Sequence, residues 1–282
     1  MKEKIISIIN QKGVVGKTTT VINLAAGLSL NNKKVLVIDL DPQGNATTGL
    51  GLSNIDQTSN SIYQVLIGTK KIDEAISKTN FSNLDIITSN VDLSGVEVET
   101  ADDGRRAYIL NEKLTAYLND SRASYDYVLI DCPPSLSLLT VMALVASHSL
   151  LVPLQTEFFA LEGITQLIKT IDRIKVGLNP ELTIRGILLT MYDKRNKLSG
   201  EVETEARNYF KDKVYKNVVP RNVRLSEAPS HGMPVIFYDK SCPGSKSYIK
   251  FTEEFLAQEE SFETAAWSVL KIKKDLVEAY HL

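Results

Sequence analysis

Apolar runs rich in β-branched residues recur along this chain, separated by segments of helix length. Strands are expected at Lys4–Ile9, Val35–Leu40, Leu84–Thr88, Tyr127–Ile130, Ser149–Pro153, Ile184–Tyr192, Val214–Val219 and Pro234–Phe237. Most of these runs are continuous rather than alternating, as in strands covered on both faces. Between the first two lies Lys17–Leu30, whose apolar residues Val21, Leu24, Ala25 and Leu28 recur at helical spacing before Asn31 and Asn32 stop the helix. Strand, glycine-bearing turn, helix, strand is a right-handed βαβ unit. Its repetition predicts an α/β fold, a doubly wound, mainly parallel sheet flanked by helices. The segment Glu253–Leu282 is expected to be a helical tail, with Phe262, Ala266, Val269, Leu276 and Tyr280 near one face. No internal repeat or long Pro/Gly/Ser linker divides the chain, so residues 1–282 read as a single domain ending in that tail.

Composition narrows the function classes. At 282 residues, 43% hydrophobic and 23% charged, the chain fits an ordinary globular protein and excludes a disordered or collagen-like one. Cys132 and Cys242 are far apart with no CxxC spacing, which argues against a disulfide framework or a structural zinc site. The three histidines (His148, His231, His281) form no metal-ligand or triad pattern. The first apolar run is too short for a signal peptide. Leu138–Leu154 is interrupted by Thr140, Ser147, His148, Ser149 and Pro153, so it reads as a buried helix running into a buried strand rather than a membrane span. A cytoplasmic location is expected. With a net charge of −2, any attraction to nucleic acid must come from a local patch.

Chemistry concentrates where strands end. Gln11-Lys12-Gly13-Val14-Val15-Gly16-Lys17-Thr18-Thr19 lies between the first strand and the first helix. Glycines let backbone N–H groups curl around phosphate oxygens, and a helix N-terminus attracts negative charge. Lys17 can neutralise the β- and γ-phosphates, and the Thr18 hydroxyl can ligate Mg²⁺. The second strand ends in Asp39 and Asp41, which project to the same side of extended chain at the carboxyl edge of the sheet. One carboxylate can orient an attacking water while the other helps hold a metal shell. Gly44, Gly49 and Gly51 follow and suggest a segment that moves with the γ-phosphate. Tyr127–Asp131 is an apolar strand closed by a carboxylate, in the form of a Walker B motif, and Cys132-Pro133-Pro134-Ser135 stops it.

The first of these motifs departs from the standard G-x-x-x-x-G-K-[ST] pattern, because Gln11 holds the first glycine position and Lys12 precedes Gly13. It resembles the deviant Walker A motif, K-G-G-x-G-K-[ST], of the ParA/MinD group of P-loop ATPases, and Asp131-Cys132-Pro133-Pro134 resembles that group's D-x-P-P segment. Gln155–Gly163, Leu189–Asp193 and Val219–Gly232 are similar to the ParA/Soj subgroup, the chromosome and plasmid partitioning ATPases, and the likeness spans roughly residues 1–250. The resemblance implies binding of ATP or ADP with Mg²⁺ through Gly13, Val14, Val15, Gly16, Lys17, Thr18 and Thr19. It implies Met191, Pro220, Arg221 and Asn222 near the adenine. Catalytic roles would fall to Lys17, to Asp41 in positioning water, and to Lys12, which would reach into a second subunit's nucleotide in a sandwich homodimer. Thr18, Asp39 and Asp131 would serve the metal. Partners would be non-specific DNA, with Arg195 and Arg224 in contact, and a ParB/Spo0J-type centromere-binding protein; the protein would associate with the nucleoid and not with membrane.

From Asp193 to Lys250 there are twelve Lys/Arg against seven Asp/Glu, with Lys194, Arg195, Lys197, Arg221 and Arg224 at expected loop positions. Such a patch gives salt-sensitive binding without base specificity. One departure stands out. Val14 occupies the motif's second glycine, and a β-branched residue held at positive φ would cost ~1–2 kcal/mol. That leaves open a tolerated variation, a weakened dimer, or a nucleotide-gated binding protein with impaired turnover. A MinD-like, membrane-cycling ATPase using the tail is the other alternative.

Overall fold

The computed structural model describes residues 4–53, 60–120 and 125–259. Its strands are β1 (Lys4–Ile8), β2 (Val35–Asp39), β3 (Ile76–Lys78), β4 (Leu84–Ile87), β5 (Tyr127–Asp131), β6 (Ser149–Gln155) and β7 (Thr183–Thr190). They form one sheet in the order β3-β4-β2-β5-β1-β6-β7, parallel except for β3 at the edge. The first half of the chain supplies helices α1 (Lys17–Leu30), α2 (Asn45–Gly49), α3 (Ile62–Leu66), α4 (Ile72–Ala75), α5 (Val96–Glu99) and α6 (Ile109–Leu118). The second half adds α7 (Leu138–Ala146), α8 (Ala160–Gly177), α9 (Lys197–Phe210), α10 (Val223–Glu227) and α11 (Val235–Tyr238), and residues 243–259 are helical.

The continuous apolar strands follow from burial on both faces. Leu36, Ile38, Val128 and Ile130 pack into one core with α6, α7 and α8, while Val35, Val37, Tyr127 and Leu129 pack into the other with α1 and the 243–259 helix. Alternate residues thus serve opposite layers, so both faces of the strands are predominantly apolar. Leu138–Leu154 is the expected helix running into a strand, and no helix among the described residues is long and apolar enough to cross a membrane. Of the tail, residues 253–259 continue a helix, and the stripe from Phe262 to Tyr280 lies outside the described residues.

Three segments differ from expectation. Val214–Val219 is not a strand, although Val214, Tyr215 and Val219 are buried. The Glu254 carboxylate accepts the N–H groups of Lys216 and Asn217 (2.7 and 2.9 Å), and only isolated bridges at Val214 and Pro220 follow β7. Pro234–Phe237 is instead the entry to helix α11, whose Val235 and Ile236 are buried; a four-residue apolar run does not distinguish strand from helical turn. Strand β3 was not expected, because its residues are half-exposed and carry no apolar run.

Candidate functional site

The phosphate-type loop is tied to the sheet before it turns. Beyond β1, the Ile9 N–H donates to the Leu151 carbonyl (3.1 Å). Buried Asn10 donates to the Pro153 carbonyl (2.7 Å) and accepts the Lys12 N–H (3.0 Å), so one side chain fastens the loop to β6. From the other side, the Thr190 hydroxyl donates to the Val15 carbonyl (2.9 Å). The loop ends at Gly16, whose φ of +82° suits glycine, and Thr20 N–H to Gly16 carbonyl (2.9 Å) is the first bond of α1. The N–H groups of Lys17, Thr18 and Thr19 therefore precede the helical ladder and stand at the positive end of its dipole.

Lys17 is only 4% exposed, and its ammonium spans the loop, donating to the Lys12 carbonyl (2.8 Å) and the Gly13 carbonyl (3.5 Å). Burial lowers its pKa, while the charges of Asp131 and Asp41 oppose that shift. Val15 is buried, so its side chain belongs to the wall under the loop and only its backbone can face a ligand. Val14 does not adopt positive φ, and its side chain is 79% exposed. The backbone strain expected for a valine there is therefore absent; its isopropyl group points outward, toward whatever approaches the loop.

The parallel pairing of β2 with β5 sets Asp39 directly beside Asp131 at the carboxyl edge. Asp39 is well partnered: it accepts the Thr47 N–H (2.8 Å), the Thr47 hydroxyl (2.7 Å) and the Asp41 N–H (3.3 Å). Burial nevertheless pushes its carboxyl up to about 6, against those hydrogen bonds. Asp131 differs. Both its oxygens are buried and neither makes a well-formed hydrogen bond. Burial first, and the Asp39 charge second, raise its pKa well above the usual carboxylate range, with the Thr18 hydroxyl and Lys17 pulling the other way. Two unpartnered carboxylate oxygens in such a place, with the Thr18 hydroxyl and Asp39 at hand, make a donor set of hard oxygens that suits Mg²⁺. Asp41 is buried as well; it accepts the Gln43 N–H (3.0 Å), and its carbonyl accepts the Ser89 hydroxyl (2.7 Å).

Ser89 also donates its N–H to the Thr47 hydroxyl (3.0 Å), which locks the β2–α2 turn onto the end of β4. Gly44 and Gly51 take positive φ (+63° and +84°), and the turn is also closely packed: a Cβ on Gly232 would lie 2.7 Å from the Gly51 Cα. Cys132 is buried, and burial pushes its thiol up to about 12, so it stays a protonated packing residue.

Beyond β7 the chain turns sharply at Met191 (φ +51°), and Tyr192 bridges to Pro220: the Tyr192 N–H donates to the Val219 carbonyl (3.0 Å) and the Arg221 N–H to the Tyr192 carbonyl (3.1 Å). This bridge brings Met191 together with Pro220, Arg221 and Asn222, at the end of the strand whose Thr190 holds the phosphate-type loop. The same junction opens into a cleft of about 890 Å³ lined by Lys194, Arg195, Lys216, Arg221, Lys246 and Lys250, with Asp193 as its lone carboxylate. Arg195 holds Asp193 through two hydrogen bonds (3.0 and 2.9 Å), which keep that carboxyl down at about 2. Arg224 does not line the cleft. It sits on α10, bound to Glu227 (2.7 Å) and near Asp239 (3.5 Å). Lys197 likewise stands apart, near Glu201 (3.5 Å).

Comparison with known proteins agrees with this layout. Residues 3–184 match a family model described as an AAA domain. Over 256 residues the chain is 51% identical to the chromosome partitioning protein ParA of Caulobacter vibrioides, covering 91% of this chain and 95% of that protein. The chain belongs to the ParA/Soj family of chromosome-partitioning ATPases. A second member, the sporulation initiation inhibitor protein Soj of Bacillus subtilis, is 47% identical over 254 residues, covering 90% and 98% of the two chains. The fold extends beyond the family: cobyrinic acid a,c-diamide synthase of Mycobacterium smegmatis, solved with an ATP analogue and magnesium, matches with a TM-score of 0.78 at 32% identity, over 92% of this chain and 96% of that one.

For this ParA/Soj-family chain, residue patterns alone missed Asn10, Thr47, Ser89 and Thr190, the side chains that hold the loop and the carboxylates. Asn10, Ser89 and Thr190 lie at or just beyond the ends of apolar runs and Thr47 lies within α2, so none belongs to a recognisable motif. Lys216, Lys246 and Lys250 were missed as cleft residues because no motif joins them. The i,i+4 spacing of Lys246 and Lys250 places them on one helix face, and only the fold turns that face toward Arg195.

Proposed function

We propose that this ParA/Soj-family ATPase is a nucleotide-controlled DNA-partitioning switch. The unpartnered Asp131 carboxylate beside the Lys17–Thr18 loop is the observation that best supports the reading. Backbone N–H groups from Gly13 to Thr19 hold the phosphates, with Lys17 moving its ammonium from loop carbonyls to phosphate oxygens. Mg²⁺, held by Thr18, Asp131 and Asp39, would neutralise phosphate charge. Asp41 accepts a proton from the attacking water, and Met191, Pro220, Arg221 and Asn222 flank the base. Two copies close face to face with Lys12 entering the opposite site, and a ParB-type partner speeds hydrolysis and reopening. The basic cleft binds DNA phosphates without reading bases, and closure joins two clefts, so DNA affinity follows the dimer through avidity.

Asp41→Ala is expected to bind ATP normally and to lose hydrolysis by about 10²-fold or more, the usual contribution of a positioned base. Equilibrium binding of a fluorescent ATP analogue and phosphate release measure the two. Wild-type turnover in that variant would remove Asp41 from the role.

The exposed Val14 side chain supports a second, compatible reading, in which dimer closure is weaker than a glycine would permit. The tail-dependent, membrane-cycling alternative falls on residues 260–282, outside the described residues.

A further inference from the structure

Lys12 does not point freely from the loop. Its ammonium lies over the Phe159 ring, 5.9 Å from the centroid. Its aliphatic stem runs along the first turn of α8, where a Cβ added to Gly163 would sit 3.5 Å from the Lys12 Cε. The ring is itself braced, edge-on, by Phe158 at 5.1 Å between centroids and 84° between planes. Phe159 is nevertheless 61% exposed, so core packing does not account for its placement. The nearby Glu157 carboxylate is engaged by the Gln155 amide, and no carboxylate among the described residues forms an ion pair with Lys12. The Lys12 ammonium therefore rests on an aromatic face rather than on an ion pair. A cation on an aromatic face at an exposed site is held by an amount worth a two- to five-fold shift in an equilibrium. An ion pair would hold it more rigidly, and solvent would not hold it at all.

We propose that Phe159 is a positioning residue for Lys12: its ring retains the lysine on its own subunit while the protein is open, and competes with the opposite nucleotide site for that ammonium. The inference rests on the reading that Lys12 acts across the dimer, and it adds a parking site that sets how readily closure occurs. Because the ring interacts with the Lys12 ammonium only in the open state, removing it leaves the closed state unchanged and raises the open state's energy. Closure becomes easier, not harder.

Two measurements test this separately. Lysine-labelled protein, with the Lys12 signal assigned by its loss in Lys12→Ala, should show the Lys12 Cε methylene protons shifted upfield by the ring in the nucleotide-free form. The shift should vanish in Phe159→Leu and persist in Phe159→Tyr. Sedimentation equilibrium with a non-hydrolysable ATP analogue should show Phe159→Leu dimerising about two- to five-fold more tightly than wild type. Phe159→Tyr should match wild type, and Phe159→Leu should have no effect in a Lys12→Ala background. Weaker dimerisation of Phe159→Leu, or an equal effect with and without Lys12, overturns the proposal. An absent upfield shift overturns it while leaving the dimer reading intact. An intact shift with no analogue-dependent dimer in any variant overturns the dimer reading and the ring's role in closure together.

Discussion

Replacing Asp131 by asparagine should stabilise the protein when no metal or nucleotide is present. Asp39 and Asp131 are fully buried neighbours, and Asp131 has no well-formed hydrogen bond. The carboxyl of Asp39 rises from 3.8 to about 6 in the folded protein, chiefly through burial. A shift of roughly two units corresponds to ~3 kcal/mol. The sign follows from proton uptake. Between pH 4 and 6 the folded state holds a proton that the unfolded chain has lost, so stability from the Asp39 carboxyl is present at low pH and declines as pH rises through about 6. At pH 7.5 the full penalty applies, and at pH 5 about half of it remains. At Asp131 burial, joined by the Asp39 charge, also raises the carboxyl pKa, and an unpartnered buried acceptor costs ~1–3 kcal/mol; a chain of this size gains on the order of 2 °C per kcal/mol. Asp131→Asn should therefore melt about 2–6 °C above wild type at pH 7.5 in EDTA, with a smaller gap at pH 5. Mg²⁺ with ADP should reverse the order, because only the wild type keeps the carboxylate that the cation needs. Calorimetric melting across pH 5–8, with and without Mg²⁺–ADP, reads all of this. A variant less stable than wild type at pH 7.5 in EDTA, or a gap that ignores pH, would refute the reasoning.

Other expectations follow from the cleft, the loop packing and the exposed valine. Lys246→Ala and Lys250→Ala should each weaken DNA binding several-fold at ~0.1 M salt and lower the log–log salt slope by about one per site, with ATP binding unaffected; fluorescence anisotropy across a salt series checks this. Arg224→Ala should have the smaller effect, since its guanidinium is already held by Glu227 and lies outside the cleft. Gly232→Ala combines positive φ with a Cβ 2.7 Å from the Gly51 Cα, so it should lose at least ~2 kcal/mol in urea unfolding. Val14→Gly should tighten analogue-dependent dimerisation by on the order of tenfold if the outward isopropyl group obstructs the approaching copy. Sedimentation with the analogue measures it, and unchanged or weaker association removes that explanation.

Much of the molecule was legible before folding, and the reason is local. The parallel sheet was readable because strands buried on both faces are apolar at most positions, and six of the seven strands announced themselves that way. Helix α1 was readable because its stripe and its Asn31 stop depend on neighbours a few residues apart. The motif loop and Asp39, Asp41 and Asp131 were equally plain, since each lies where an apolar strand ends. What needed the tertiary structure was every relation between distant segments. Glu254 draws the N–H groups of Lys216 and Asn217 away from the sheet, so an apolar run does not become a strand. Strand register sets Asp131 against Asp39 and leaves it unpartnered. The turn at Met191 and the 243–259 helix decide that Lys246 and Lys250, not Arg224, join Arg195 in one cleft. Sequence order constrains hydrogen bonds and side-chain periodicity within an element. Charge neighbourhoods and the side to which a valine or lysine points are set by contacts that only close when the sheet is assembled.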